Sequence, residues 1–214
     1  MDTQTANQLY KKLKISLPDA KSELYYNNHF ELLLAVILSA QATDKSVNKV
    51  TEPLFKQYKT PQDFLLCGET KLRNLIRTIG LAPTKAKNII KTCKILIEDH
   101  AGEIPSTRMA LEKLPGVGRK TANVVLNEGF GQATIAVDTH VFRVANRTGL
   151  APGKTVLETE NKLIENTPKQ WLASAHRYLI LHGRYVCTAR NYNCKECAIV
   201  EECQFEEKSF DKIL

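Results

Sequence analysis

Leu114-Pro115-Gly116-Val117-Gly118-Arg119-Lys120-Thr121-Ala122-Asn123-Val124-Val125-Leu126 is a glycine turn that opens directly onto an apolar, helix-forming run. Two glycines one residue apart let the backbone turn tightly with its N–H groups exposed. Feeding a helix N-terminus, such a turn makes a nest that attracts phosphate. Lys120 falls in the first turn of that helix. Further along, Ala136-Val137-Asp138-Thr139-His140 supplies a carboxylate. An amine and a carboxylate beside a phosphate grip point to chemistry on a nucleic acid.

The rest of the chain suits that partner. Its 214 residues are enough for one large domain or two small ones sharing a cleft, and 43% hydrophobic content provides a sizeable core. Net charge is +7, which favours a polyanion. The excess is local: residues 71–120 carry eleven Lys or Arg against four Asp or Glu, whereas residues 187–214 carry four against six. The start, Met1-Asp2-Thr3-Gln4, is polar and lacks a secretory pattern. The apolar run from Phe30 to Ala42 contains Glu31 and is too short to span a bilayer. The expectation is a cytoplasmic, nucleoid-associated monomer, off the membrane, with cysteines serving as ligands or core residues rather than disulfides.

Periodicity predicts an all-α protein. Helices are expected over 4–15, 28–42, 44–58 (with Pro53 forcing a break or restart), 70–78, 83–99, 107–113 capped by Ser106, 119–128, 139–147, 155–166 and 169–183. Thr60-Pro61-Gln62-Asp63 reads as an N-cap, a proline at N1 and an acid at N3. Helix 83–99 is expected to bury Ile89, Ile90, Cys93, Ile95, Leu96 and Ile97. Ala133–Val137 is too short to count as a strand, and two helical lobes pack directly, the second starting near residue 132.

A helix, a Gly-x-Gly turn and a second helix form the helix–hairpin–helix pattern, which holds phosphate on backbone amides and reads no sequence. Gly116, Val117, Gly118 and Arg119 are its candidate DNA contacts. Lys120 is either a phosphate-binding ammonium or a nucleophile. For the second role it must shed a proton that an ordinary lysine, of pKa about 10.4, keeps at neutral pH; partial burial, the helix N-terminus and Arg119 would each help. Asp138 reads as an N-cap, a role compatible with a rigid carboxylate facing a cationic transition state. His140 is a hydrogen-bonding neighbour of the site and a candidate DNA contact, or else a solvent-facing residue, and the other histidines are structural or on the surface. Cys187, Cys194, Cys197 and Cys203 follow a C-x6-C-x2-C-x5-C spacing: four thiolates and one metal centre, zinc or iron–sulfur. Cys67 and Cys93 lie in apolar helical stretches.

Four motifs, in this order and spacing, resemble the endonuclease III family over essentially the whole chain. They are Leu-Leu-Ala-Val-Ile-Leu-Ser-Ala-Gln-Ala-Thr-Asp at 33–44, the run at 114–126, Val-Asp-Thr-His-Val at 137–141, and the four cysteines. The resemblance implies two α-helical domains flanking a DNA cleft. One is a six-helix barrel over 22–132. The other, 1–21 plus 133–214, carries a [4Fe–4S] cluster on the four cysteines. It implies a DNA N-glycosylase and AP lyase acting on double-stranded DNA with oxidised pyrimidines or abasic sites. Lys120 and Asp138 would be catalytic, Gln41 and Leu81 would fill the gap left by a flipped nucleotide, and Arg190 would contact phosphate from the cluster loop. Read without the resemblance, Gln41 ends a helix and Leu81 is core. After Leu81 the family usually has an aromatic and then a polar residue; here Ala82 and Pro83 follow. The loop between Cys187 and Cys194 is often richer in basic residues than the single Arg190 here.

Two other functions are carried forward. A mismatch-specific adenine or thymine glycosylase is disfavoured by Lys120, since monofunctional relatives lack an amine there. A non-catalytic DNA-binding or redox protein on this scaffold would bind DNA without turnover.

Overall fold

A computed structural model describes residues 1–210; the final four residues of the expected second domain, 211–214, lie outside the described residues. Among the described residues, regular structure is entirely helical, with eleven α-helices and one short 3-10 turn, in keeping with the all-α reading. The chain divides into a contiguous unit, Ser22–Gly131, and a discontinuous one, Met1–Lys21 with Gln132–Leu214.

The contiguous unit is built round α2 (His29–Ser39), in which every residue from Phe30 to Leu38 is buried. A helix apolar all round must be walled in, and α3 (Asp44–Gln57), α6 (Ala82–His100) and α8 (Arg119–Phe130) pack against it. Its one carboxylate, Glu31, accepts from the backbone and side-chain N–H groups of Asn27 at 2.7 and 2.8 Å, which offsets the desolvation of a buried charge. The helix stops at Ser39 rather than 42, because the backbone turns left-handed at Gln41 (φ 56°). Pro53 neither breaks nor restarts α3. One missing N–H bond is tolerated because Val47, Leu54 and Phe55 are buried on either side of it.

Thr60 and Asp63 close the expected capping box on α4 (Pro61–Cys67). Next, α5 (Glu69–Leu75) ends three residues early, since buried Ile76 and Ile79 tighten into an i→i+3 turn. On α6, Ile89, Cys93 and Leu96 are buried, while Ile90, Ile95 and Ile97 are only half-buried, as a single 3.6-residue stripe requires. Thr107, not Ser106, caps α7 (Arg108–Glu112) by accepting from the Ala110 N–H. Cys67 is half-buried at the end of α4, whereas Cys93 is wholly buried and its thiol is pushed up to about 12. No helix among the described residues is long and apolar enough to cross a membrane.

The discontinuous unit joins α1 (Thr3–Ser16) to α9 (Thr139–Thr148), α10 (Val156–Asn166) and α11 (Leu172–Tyr185). Leu9 and Leu13 of α1 share a core with Val141, Val144, Leu163, Leu179 and Ile199. Tyr10 stacks on Trp171 and shares a hydrogen bond with Thr167. Helices α9 and α11 approach so closely that a Cβ on Gly183 would lie 2.9 Å from the His140 Cβ and 3.1 Å from its carbonyl. Gly183→Ala is therefore expected to cost about 1–3 kcal/mol, read as a fall of several degrees in Tm; an unchanged Tm would mean that this contact yields freely.

Candidate functional site

In the contiguous unit the glycine hairpin is fastened from α6. The Thr92 hydroxyl donates to the Pro115 carbonyl at 3.1 Å. Asn88 lies against Gly116, where a Cβ would meet its amide nitrogen at 3.1 Å. Both features favour glycine at 116: φ is 84° and a side chain would crowd Asn88. Gly118 is different: its φ is −96° and the space around its Cα is open, so what it contributes is a bare N-cap that a phosphate can approach closely. Val117 departs from the expected contact role. It is buried, and its N–H donates to the Leu114 carbonyl at 3.0 Å; it anchors the turn. Among the described residues nothing accepts from the Gly116 or Gly118 N–H, so two amides are left for an anion.

Arg119 is half-buried and Lys120 is exposed as the second residue of α8. The partial burial expected round Lys120 is not there; what the fold supplies is its place at a helix N-terminus, where the dipole favours an anionic ligand. Gln41 and Leu81 are both exposed and both left-handed, at φ 56° and 62°. Their loops meet: a Cβ on Gly80 would lie 3.5 Å from the Gln41 carbonyl. Leu81 is 54% exposed, so it is not core.

In the discontinuous unit Asp138 is the N-cap of α9, one carboxylate oxygen accepting from the His140 and Val141 N–H groups at 2.9 Å each. Its other oxygen takes no part in the cap. Half-buried His140 has its Nδ1 3.2 Å from an Arg143 guanidinium nitrogen. Arg143 also donates to the Gly183 and Cys187 carbonyls, at 2.7 and 3.0 Å. One turn on, Arg147 donates to the Thr188 and Ala189 carbonyls and reaches the Cys187 sulfur at 3.5 Å. Its guanidinium lies against the rings of Tyr192 and Phe205, 4.3 and 4.9 Å from their centroids, and the two rings themselves meet edge-on at 5.7 Å.

All four predicted ligands, Cys187, Cys194, Cys197 and Cys203, line one cavity with Arg147 and His182. Among the described residues no three His, Cys, Asp or Glu side chains close on a point that would hold a metal ion. Burial pushes the Cys197 thiol up to about 11 and raises that of Cys203. Burial also pulls His182, 3.7 Å from the Cys197 sulfur, down to about 4. Arg190 is exposed in the same loop.

Residues 34–169 match the profile of the HhH-GPD superfamily of base excision DNA repair proteins. Endonuclease III of Haemophilus influenzae is 55% identical over 94% of this chain and 95% of its own length; that of Escherichia coli is 53% identical over the same shares. The chain belongs to the endonuclease III family. The structure of a trapped endonuclease III–DNA covalent intermediate superposes with a TM-score of 0.89 at 45% identity, covering 95% of this chain and 96% of that one. A thermostable thymine-DNA glycosylase, 22% identical with a TM-score of 0.82, shares the fold.

Against the endonuclease III pattern, sequence reading missed four side chains: Arg143, Arg147 and His182, which surround the cysteine loop, and Lys85, which is buried behind Gln41 and Leu81. Lys85 carried a usable signal, since it stands beside Ala86 and one turn before Ile89 on the buried face of α6. The arginines share one face of α9 at i, i+4, a spacing equally common on solvated helices.

Proposed function

We propose that this chain is a bifunctional DNA N-glycosylase and AP lyase of base excision repair that removes oxidised pyrimidines from double-stranded DNA in the cytoplasm. The observation that carries the reading is the exposed amine of Lys120 at the start of the second hairpin helix, in a chain whose relatives include one captured covalently on DNA. The contiguous unit is read as the barrel domain, expected over 22–132, and the discontinuous one as the cluster domain. Gly116 and Gly118 hold a backbone phosphate, and Arg119 and Arg190 add positive charge. Gln41 and Leu81 fill the gap from which a nucleotide has been flipped.

The neutral Lys120 amine attacks C1′ of the sugar. A C–N bond forms as the glycosidic bond to the base breaks, and the base leaves with the bonding pair. The carboxylate of Asp138 stabilises the positive charge on the sugar and assists in taking the amine proton. Opening of the sugar ring yields a Schiff base that acidifies the C2′ proton. Loss of that proton expels the 3′ phosphate by β-elimination, cutting the strand 3′ to the lesion.

The four cysteines are read as ligands of a [4Fe–4S] cluster. An all-thiol donor set lining one cavity suits zinc or iron–sulfur; the kinship with endonuclease III favours the cluster. The cluster would hold the 187–203 loop in shape, while the chemistry rests with Lys120 and Asp138. The purified protein should be brown, with iron and acid-labile sulfide in equal amounts, and Cys197→Ser should lose both. A colourless protein holding stoichiometric zinc would overturn the cluster.

A lesion panel tests the activity. Duplex containing thymine glycol should be cut, and duplex with a mismatched adenine or thymine left intact. The opposite preference would favour a mismatch glycosylase, and DNA binding without turnover a non-catalytic protein.

A further inference from the structure

Gln41 and Leu81 hold a backbone conformation that residues other than glycine populate sparsely, and that persists only where the surroundings over-determine it. The constraint comes from beneath. Lys85, 4% exposed, donates from its amine to the Leu38 carbonyl at 2.9 Å and the Ala40 carbonyl at 2.6 Å, two of the last three carbonyls before Gln41. Its own N–H donates to the Leu81 carbonyl at 3.0 Å, closing the first turn of α6. A buried cation is costly to desolvate, and burial holds this amine below the usual lysine range. Among the described residues it has no carboxylate partner. What it meets is the carbonyl end of α2, where the helix dipole is negative. A methionine would fill the same space without desolvating a charge, so the amine matters for what it ties together.

We propose that Lys85 is the positioning residue of a paired wedge: it fastens the Gln41 loop to the first turn of the helix that Leu81 caps, so that both side chains enter the duplex as one rigid element. This rests on reading Gln41 and Leu81 as gap-filling residues.

The test compares two substrates: an abasic site in duplex DNA, which leaves a gap to fill, and the same site in single-stranded DNA, which does not. Full-length Lys85→Met, purified as the wild type is, should lose roughly ten- to a hundredfold in kcat/KM on the duplex, since small misplacements of positioning groups have effects of that size. Single-strand cleavage should be unchanged. Combined with Leu81→Ala, Lys85→Met should add no further loss on duplex, because both remove one device. Equal losses on both substrates would reduce Lys85 to a folding role, and full duplex activity or additive losses would likewise overturn the proposal. Should Lys85→Met not fold, Lys85→Leu, which likewise removes the donor, takes the same two readouts. Unimpaired duplex cleavage by Leu81→Ala alone would sink the wedge reading, and the inference with it, while leaving the glycosylase and lyase assignment intact.

Discussion

Lys120→Ala protein, mixed with abasic-site duplex and borohydride, should give no covalent adduct, while the wild type is captured. Borohydride reduces a Schiff base to a stable amine, and only a primary amine of the protein placed at C1′ can form one. Removing the nucleophile should lower strand cleavage by at least about 10³-fold, the scale on which nucleophile deletions act. The substitution should leave the fold alone: Lys120 is exposed, while α8 is anchored by Ala122, Val124, Val125 and Leu126 in the core. An unchanged Tm therefore accompanies the loss. DNA binding should weaken only modestly, since the Gly116 and Gly118 amides and Arg119 remain. Capture of the variant as efficient as that of the wild type would move the nucleophile elsewhere.

The parts of this protein legible in its sequence are those fixed by local chemistry. Phe30–Leu38 reads as a buried helix because eight of its nine residues are apolar. Asp138 reads as a cap because it precedes a helical run, and it does cap α9. Other features depend on partners far along the chain. That a side chain on Gly116 would crowd Asn88 follows from a residue 28 positions earlier. That Val117 anchors rather than contacts follows from its burial against the unit's core. Pro53 stays inside an unbroken α3 against its intrinsic propensity, because propensity weighs the lost hydrogen bond and not the apolar side chains packed on either side of it. Lys85 was invisible as a fastening because its partners are main-chain carbonyls, which leave no trace in residue identity.

Asp138→Asn separates the two roles that the sequence left entangled. Asparagine caps helices about as well as aspartate, so the bonds to the His140 and Val141 N–H groups survive the exchange, and Tm should stay close to that of the wild type. The negative charge does not survive. A carbohydrate centre losing its base develops positive charge, and a carboxylate held rigid by its cap bonds stabilises it far more than a neutral amide can. Excision of thymine glycol should accordingly fall by roughly 10²–10⁴-fold, the range found for positioned acid–base and electrostatic groups. Asp138→Ala adds the structural loss: about 1 kcal/mol from the missing cap, worth some degrees of Tm in a chain of this size. The pair thus gives two readouts that separate charge from cap. Asn and Ala should be alike in lost catalysis and unlike in stability if the charge does the chemistry. If the carboxylate were only a cap, Asp138→Asn would excise the lesion at the wild-type rate, and the positive charge on the sugar would have to be met by some other group.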